Sequence, residues 1–437
     1  MAYIKKKKDD AYLITVSCGR DSSGKKITRS TTFSPEIFTA KGNRKTEKVI
    51  EKEVAAYAAE FERKVLTGHY TEGHTMTFEE YSQKYLSEYA RINQAPRTYQ
   101  STETTVKSFV SAFGYMTLES LNPLFLQEYF NTMLSTRKLT HGSGTLSQST
   151  VKRRAAVLSS MLSQAVRWNL VEQNVMQRVQ IKKAEVKEEK PMCFTQEQAE
   201  IFLDALEKPL YYEYDRKTRK TNQGNICEIQ AYRAERQIHL QLKFFFYLAI
   251  FTGCRRGELV PLRWSDIAFD DSSIRITKSA CMVKGELLIK GTKTKGSIRT
   301  IAIPAAVLSL ARCWKREQAL YRLTIGSQWI GDDFVFIRWN GSMMGLDTPY
   351  HAFRRIIRNY NANRKNGEPE LPLIPLHGLR HTSATLLISQ GIDIRTVSGR
   401  LGHTNTSTTL NIYSHALKEL DKTASDKLES IFLKKTN

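Results

Sequence analysis

Four short patterns in the second half of the chain collect residue types able to work on a phosphate. They are Thr252-Gly253-Cys254-Arg255-Arg256-Gly257-Glu258-Leu259, the lysine-bearing Gly291-Thr292-Lys293-Thr294-Lys295-Gly296, His377-Gly378-Leu379-Arg380-His381, and Leu401-Gly402-His403 with Tyr413 ten residues beyond. A phosphodiester attacked by an oxygen builds negative charge on its nonbridging oxygens. The planar forks of Arg255 and Arg380 suit that charge better than ammonium groups. Tyr413 offers a nucleophilic oxygen, but with a phenol pKa near 10 only about 0.1% is ionised at neutral pH, so it needs a base or strong transition-state stabilisation. His377 is the candidate base, because imidazole titrates near neutrality, and His403 would donate to a nonbridging oxygen. Glu258, three residues after Arg255, is placed either to hold that arginine by an ion pair or to form a plain surface salt bridge. His381 and His415 are read as structural. No carboxylate cluster suited to Mg²⁺ accompanies these residues, and two arginines with a lysine remove the electrostatic reason for one. Taken singly, each pattern has an ordinary reading as a surface arginine, a polar helix start or a core tyrosine beside Leu410 and Ile412.

The elements that must position these residues can be read from hydrophobic period and turn chemistry. The reading gives a multidomain chain, mainly α with small β sheets, divided into residues 1–67, 75–182 and 190–437. The first part predicts an α+β module: a basic strand over Tyr3 to Lys7, a strand in which Tyr12, Ile14 and Val16 alternate inward, a turn at Asp21 to Gly24, and a returning strand from Ile27 to Phe33. A helix carrying Val49, Ile50, Val54, Tyr57, Phe61 and Val65 at helical spacing would cover one sheet face. The other face is expected to expose Lys5, Lys7, Arg20, Lys25, Lys26 and Arg29, either as a plain solvated surface or as a surface able to enter a DNA groove. After a polar linker at Gly68 to Thr75, helices are expected near 77–91, 98–112, 123–136 and 148–169, with a loop at Gly142-Ser143-Gly144. Lys182 to Lys190 reads as a second linker. The rest forms a larger, mainly helical domain with a β-rich interval from Ile267 to Ile303, whose strands are marked by Ile274 and Ile276, by Leu287 and Ile289, and by Ile298, Ile301 and Ile303. The polar, tyrosine-rich stretch from Glu207 to Arg236 lacks a period and is expected to be a loop insertion.

Composition narrows the partner. The 437 residues carry 66 Lys and Arg against 44 Asp and Glu, a net charge of +22, with 41% apolar residues, enough for folded cores. Such an excess favours polyanions, because phosphate contacts release condensed counterions. The longest apolar run, Phe244 to Phe251, falls far short of the roughly 20 residues that span a bilayer and reads as a buried helix. Asp9 and Asp10 stand where a signal peptide would become apolar, so a cytoplasmic protein without a membrane partner is expected. The cysteines Cys18, Cys193, Cys227, Cys254, Cys281 and Cys313 show no paired short spacing, which predicts reduced, mostly buried thiols and no metal site.

In this order and spacing the four patterns resemble the tyrosine recombinase and phage integrase family, over about residues 190 to 420. The earlier part also looks like that family, with a helical core-binding domain and, as in integrases of phages and conjugative transposons, a small arm-binding sheet domain. The resemblance implies a catalytic set of Arg255, Lys293, His377, Arg380, His403 and Tyr413. In it Lys293 is the general acid for the leaving 5′ oxygen, and Lys295 is the competing assignment. It further implies cleavage through a 3′-phosphotyrosine with no cofactor, exchange through a Holliday junction by four subunits, and core and arm attachment sites on duplex DNA. An excisionase or a host DNA-bending protein is an implied helper. A chromosome-dimer or plasmid resolvase of the same family, a type IB topoisomerase and a catalytically decayed DNA binder are the alternatives. The stretch from Leu417 to Leu433 is expected to form a helix on an adjacent subunit or on its own domain. The insertion from Glu207 to Arg236 departs from the shorter loop associated with the family.

Overall fold

The computed structural model describes residues 2–7, 11–20, 24–38, 44–66, 76–135, 146–181, 192–214, 217–220, 226–291 and 298–403, with a few positions between 405 and 429. The expected linkers at Gly68 to Thr75 and Lys182 to Lys190, the glycine loop at 142–144, and the helix from Leu417 to Leu433 lie largely or wholly outside them. The chain divides into two units, Met1–Val186 and Lys187–Asn437.

In the first unit, strands β1 (Tyr3–Lys6), β2 (Tyr12–Arg20) and β3 (Lys26–Phe33) form an antiparallel sheet in sequence order, followed by helix α1 (Glu47–Leu66). Ile14 and Val16 are buried against Ala58 and Phe61 of α1, and Phe33 stacks on Tyr57 at 4.2 Å. Register decides what the other face carries, since opposed residues share a face. Lys5 faces Leu13 and Thr28 faces Ser17, so Lys5, Lys26, Thr28 and Ser30 share the side away from Ile14. Arg29 instead pairs with Val16 and points to the helix-covered side, which corrects its expected place on the outward face. Val49, expected in the buried stripe, is exposed.

A separate helical core occupies the same unit. It is built from α2 (Phe78–Lys84), a π turn at Tyr85–Ala90, α3 (Arg91–Asn93), α4 (Pro96–Phe113), α5 (Pro123–Ser135) and α6 (Gln148–Arg167). Thr77 and Glu80 close a capping box at the start of α2, and Pro96 opens α4 where a missing N–H costs nothing. Phe78, Tyr81, Phe109, Phe113 and Phe130 fill the interior almost without exposure.

The second unit is built on α8 (Leu240–Thr252), which is buried at Phe244, Phe245, Phe246, Leu248, Ala249 and Ile250. Around it pack α7 (Gln196–Glu207), α10 (Ala305–Ile325), α11 (Thr348–Asn363) and α12 (Gly378–Ser389). The one-turn helix α9 (Arg256–Leu259) follows α8, and α13 (Ile394–Leu401) follows α12. Strands β8 (Ile267–Ala268), β9 (Ser273–Ile276) and β12 (Arg299–Ala302) make one sheet, while β10 (Lys278–Val283) and β11 (Glu286–Gly291) make a separate hairpin. The sequence marks no strand at β10, because its face alternation is shallow and only Ala280 is buried.

Between α7 and α8 the expected loop is a ribbon. Strand β4 (Leu210–Tyr214) pairs with β7 (Tyr232–Arg236), and β5 (Lys217–Lys220) pairs with β6 (Ile226–Ile229). Leu210 is buried in the main core with Tyr212 packed against it, and diagonal contacts add to this anchor: Arg233 lies over the Tyr211 ring at 4.3 Å and Arg236 over Tyr212 at 5.5 Å. Asn359 of α11 accepts the Tyr211 backbone N–H at 3.0 Å and donates to the Tyr211 carbonyl. Cys18, Cys193, Cys254, Cys281 and Cys313 are free thiols, and of these five only Cys254 is buried; Cys18 and Cys313 are exposed, against the expected burial. No described helix is long and apolar enough to cross a membrane.

Candidate active site

Three of the four sequence patterns meet where helix ends converge. Gly253 caps α8 in the left-handed region (φ 63°), where a Cβ would lie 2.6 Å from Leu401 Cδ2. The turn sends Arg255 to the N-terminal boundary of α9. There the Glu258 carboxylate accepts the Arg255 backbone N–H at 3.0 Å and, through its other oxygen, the Arg255 guanidinium at 3.0 Å. Glu258 is buried, with 5% of its side chain exposed, whereas Arg255 keeps 41% of its own exposed. Of the two expected readings of this pair, the geometry excludes the plain surface salt bridge. Burial raises the Glu258 carboxyl pKa, but Arg299 and Arg255 outweigh it and hold the group below its ordinary value.

Arg380 lies on α12 and is almost fully buried. Its Nη1 donates to the Gly253 carbonyl at 2.9 Å and to the Leu401 carbonyl at 2.8 Å. Those carbonyls sit at the C-terminal ends of α8 and α13, where helix carbonyls lack intrahelical partners and the helix dipole favours a cation. The guanidinium is thereby neutralised in part and fixed in orientation. A second arginine, Arg400, also bridges two backbone carbonyls: its Nη2 donates to Phe251, in the last turn of α8, at 2.6 Å and to Ala302, at the end of β12, at 3.0 Å.

His377 stands immediately before α12, its ring edge-on to His381 at 5.0 Å. Its pKa is lowered to about 4, first by burial and then by the charges of His381, Arg380 and Arg255. His403 follows the Gly402 cap of α13 and shares a hydrogen bond of 2.8 Å between Nδ1 and Thr409 Oγ1. It too is lowered to about 4, by burial and then by Arg380, Arg255 and Arg299. Both imidazoles are therefore neutral at pH 7. A cavity of about 360 Å³ is lined by Cys254, Arg255, Tyr350, His377 and Arg380, over a floor that includes Phe245 and Leu259.

The structure thus brings Arg255, Glu258, His377, Arg380 and His403 together. Lys293, Lys295 and Tyr413 lie outside the described residues, as does His415. Lys5, Lys7, Lys25 and Lys26 are exposed in the N-terminal module, and Arg20 ends β2. Sequence reading missed Arg299, which pairs with Glu258 at 2.8 Å, as well as Arg400 and Thr409. Arg299 stands in no fixed spacing to any of the four patterns; its partner is 41 residues away. Among the described residues no group of three or more His, Cys, Asp or Glu is placed to hold a metal.

The model of the phage integrase family matches residues 220–419, and that of the phage integrase SAM-like domain matches residues 77–183. The chain belongs to the phage integrase family. This integrase-family match spans all four patterns and begins at the last residue of β5. Family members are enzymes of DNA strand cleavage and transfer. A tyrosine recombinase XerC-like protein of Caldanaerobacter subterraneus subsp. tengcongensis is 26% identical over 448 residues, covering 99% of this chain and 98% of that relative. The ICEBs1 integrase of Bacillus subtilis is 32% identical over 197 residues, 45% of this chain and 50% of the relative. Among solved structures, the Tn1549 transposon integrase in complex with transposon right end DNA shares the fold at a TM-score of 0.59 and 19% identity, covering 81% of this chain and all of that one.

Proposed function

We propose that the chain is the site-specific recombinase of a mobile element, which cuts and rejoins duplex DNA through a covalent phosphotyrosine at Tyr413. The observation that carries the reading is the convergence of the Arg255 and Arg380 guanidiniums and the His377 imidazole on one cavity, with the neutral imidazole of His403 close enough for the same two arginines to depress its pKa. In the proposed step, the Tyr413 oxygen attacks the scissile phosphorus while Arg255 and Arg380 bind the nonbridging oxygens. A tyrosine–phosphorus bond forms, the phosphorus–O5′ bond breaks, and Lys293, or Lys295 beside it, delivers a proton to the leaving oxygen. His377 takes the phenolic proton. Burial, and after it the charges of His381 and the two arginines, depress its basicity in the free protein, and a bound phosphate offsets the arginine part of that depression. Thr409, by donating to His403 Nδ1, would leave the Nε2 proton directed at a nonbridging oxygen. The 3′-phosphotyrosine keeps the energy of the broken bond, so a free 5′ hydroxyl can reverse the step without a cofactor.

Three domains are proposed: residues 1–67 for arm-type DNA, 75–182 for the core site and 190–437 for catalysis. Four subunits would exchange strands through a Holliday junction, with an excisionase or a host DNA-bending protein setting direction, in the cytoplasm at the nucleoid. The integrase and transposon names among the relatives favour a mobile element. The full-length XerC-like relative favours the second reading, a resolvase of chromosome dimers or plasmids.

Tyr413→Phe should abolish covalent complex formation on a suicide duplex nicked beside the cleavage site, while DNA affinity stays within about tenfold. A covalent protein–DNA band that persists in this variant on a denaturing gel would remove Tyr413 from the mechanism.

A further inference from the structure

We propose that Arg299, the first residue of β12, is a positioning residue that sets Arg255 and His403 against the phosphate together. The inference rests on the phosphate-clamp reading above and extends it to a residue that does not line the cavity. The Arg299 side chain is 7% exposed, and its donors go to the neighbours of the catalytic groups. Nη2 donates to Glu258 Oε2 at 2.8 Å, and the other oxygen of that carboxylate holds the Arg255 guanidinium. The same Nη2 lies 3.4 Å from Cys254 Sγ, the residue before Arg255. Nε donates to the Arg400 carbonyl at 2.8 Å, in the turn that delivers His403. The guanidinium lies directly beneath that turn, for a Cβ on Gly402 would come within 2.7 Å of Arg299 Nη1. One side chain therefore ties the start of α9 to the end of α13.

Stability alone is a poor reason for this arrangement. Replacing a buried ion pair by apolar residues of similar volume is often neutral or stabilising, whereas orientation of a neighbouring charge needs the pair itself. Lysine cannot substitute for both arms, because a single ammonium lacks the fixed fork that serves a carboxylate and a carbonyl in two directions.

The test uses the full-length protein and the nicked suicide duplex, comparing the parent with Arg299→Met, Arg299→Lys and the double variant Glu258→Gln/Arg299→Met. The double variant leaves no unpaired buried carboxylate and serves as the folded control if Arg299→Met alone is unstable. Cleavage at saturating DNA should fall at least about 30-fold in the double variant and about tenfold in Arg299→Lys, with DNA affinity within about threefold and melting cooperative. Imidazole resonances supply a readout independent of cleavage: those of His403 should move in Arg299→Lys, and those of the distant, exposed His239 should not. A parent that forms no covalent product defeats the recombinase reading, and the His403 resonances then decide the brace by themselves. The proposal is overturned if folded variants cleave at the parental rate with His403 unmoved. It is equally overturned if cleavage declines only in step with affinity and melting temperature, the mark of a general loss of structure.

Discussion

At the scale of single residues, the site is organised around keeping cations charged and imidazoles neutral. His377 and His403, each lowered to about 4 from an ordinary 6.5, must gain a proton against burial and against the two arginines. Their depressed folded-state values fix the sign of the linkage. The stability they contribute is fully present above the unfolded value of 6.5, and it is lost as pH falls from there through about 4. Ring titration followed by NMR on the DNA-free protein should place both midpoints near 4; midpoints near 6.5 would show that the rings are solvated and unopposed. These residues were readable in the sequence because their motifs are short and local. Arg299 was not, since its role depends on folding that brings residues 41 and 101 positions away to one guanidinium.

At the scale of elements, helix ends do the positioning. Gly253 and Gly402 both end helices in the left-handed region, at φ 63° and 70°, and each lets another side chain approach where a methyl would collide. Gly391 also has positive φ, 79°, but nothing within 4 Å of a Cβ. Gly391→Ala should therefore cost about 1 kcal/mol of conformational strain, and Gly402→Ala about 1–3 kcal/mol because Arg299 must also shift. Chemical denaturation of the two variants separates these contributions, and equal losses would mean that the approach of Arg299 carries no penalty. Helices were legible where an apolar stripe recurs, as in α4, or where an unbroken apolar run marks a buried helix, as in α8. The ribbon between α7 and α8 was not, because beyond Leu210 and Tyr212 its root is held by tyrosine–arginine contacts and by Asn359, which leave no alternation of apolar and polar residues to read. Facing differs from the expectation for Arg29, which alternation within β3 alone does not assign until the register with Val16 is known, and for Val49, which keeps the helical spacing of the α1 stripe yet is exposed.

At the scale of the whole chain, separate hydrophobic cores underlie the proposed division of labour. The sheet module has its own small core of Ile14, Val16, Ala58 and Phe61, and no proposed catalytic residue precedes Arg255. Removing residues 1–67 should therefore cripple recombination between complete attachment sites and leave cleavage of a core-site suicide duplex measurable. Footprinting of the intact protein should show two separate protected sets of sequence, and the salt dependence of DNA binding should be shallower in the truncated form by the equivalent of several phosphates. A single protected set, unchanged by truncation, would defeat the arm-binding proposal. The reciprocal arginine ties inside the second unit bear on ancestry and engineering alike. Arg299 of β12 reaches the carbonyl of Arg400, and Arg400 of α13 reaches the carbonyl of Ala302 back in β12. A crossover that joins this chain to a relative between residues 302 and 394 inherits one half of each tie from a different parent. Functional hybrids will therefore be those whose breakpoints leave β12 and α13 on the same inherited segment, or whose parents share both arginines.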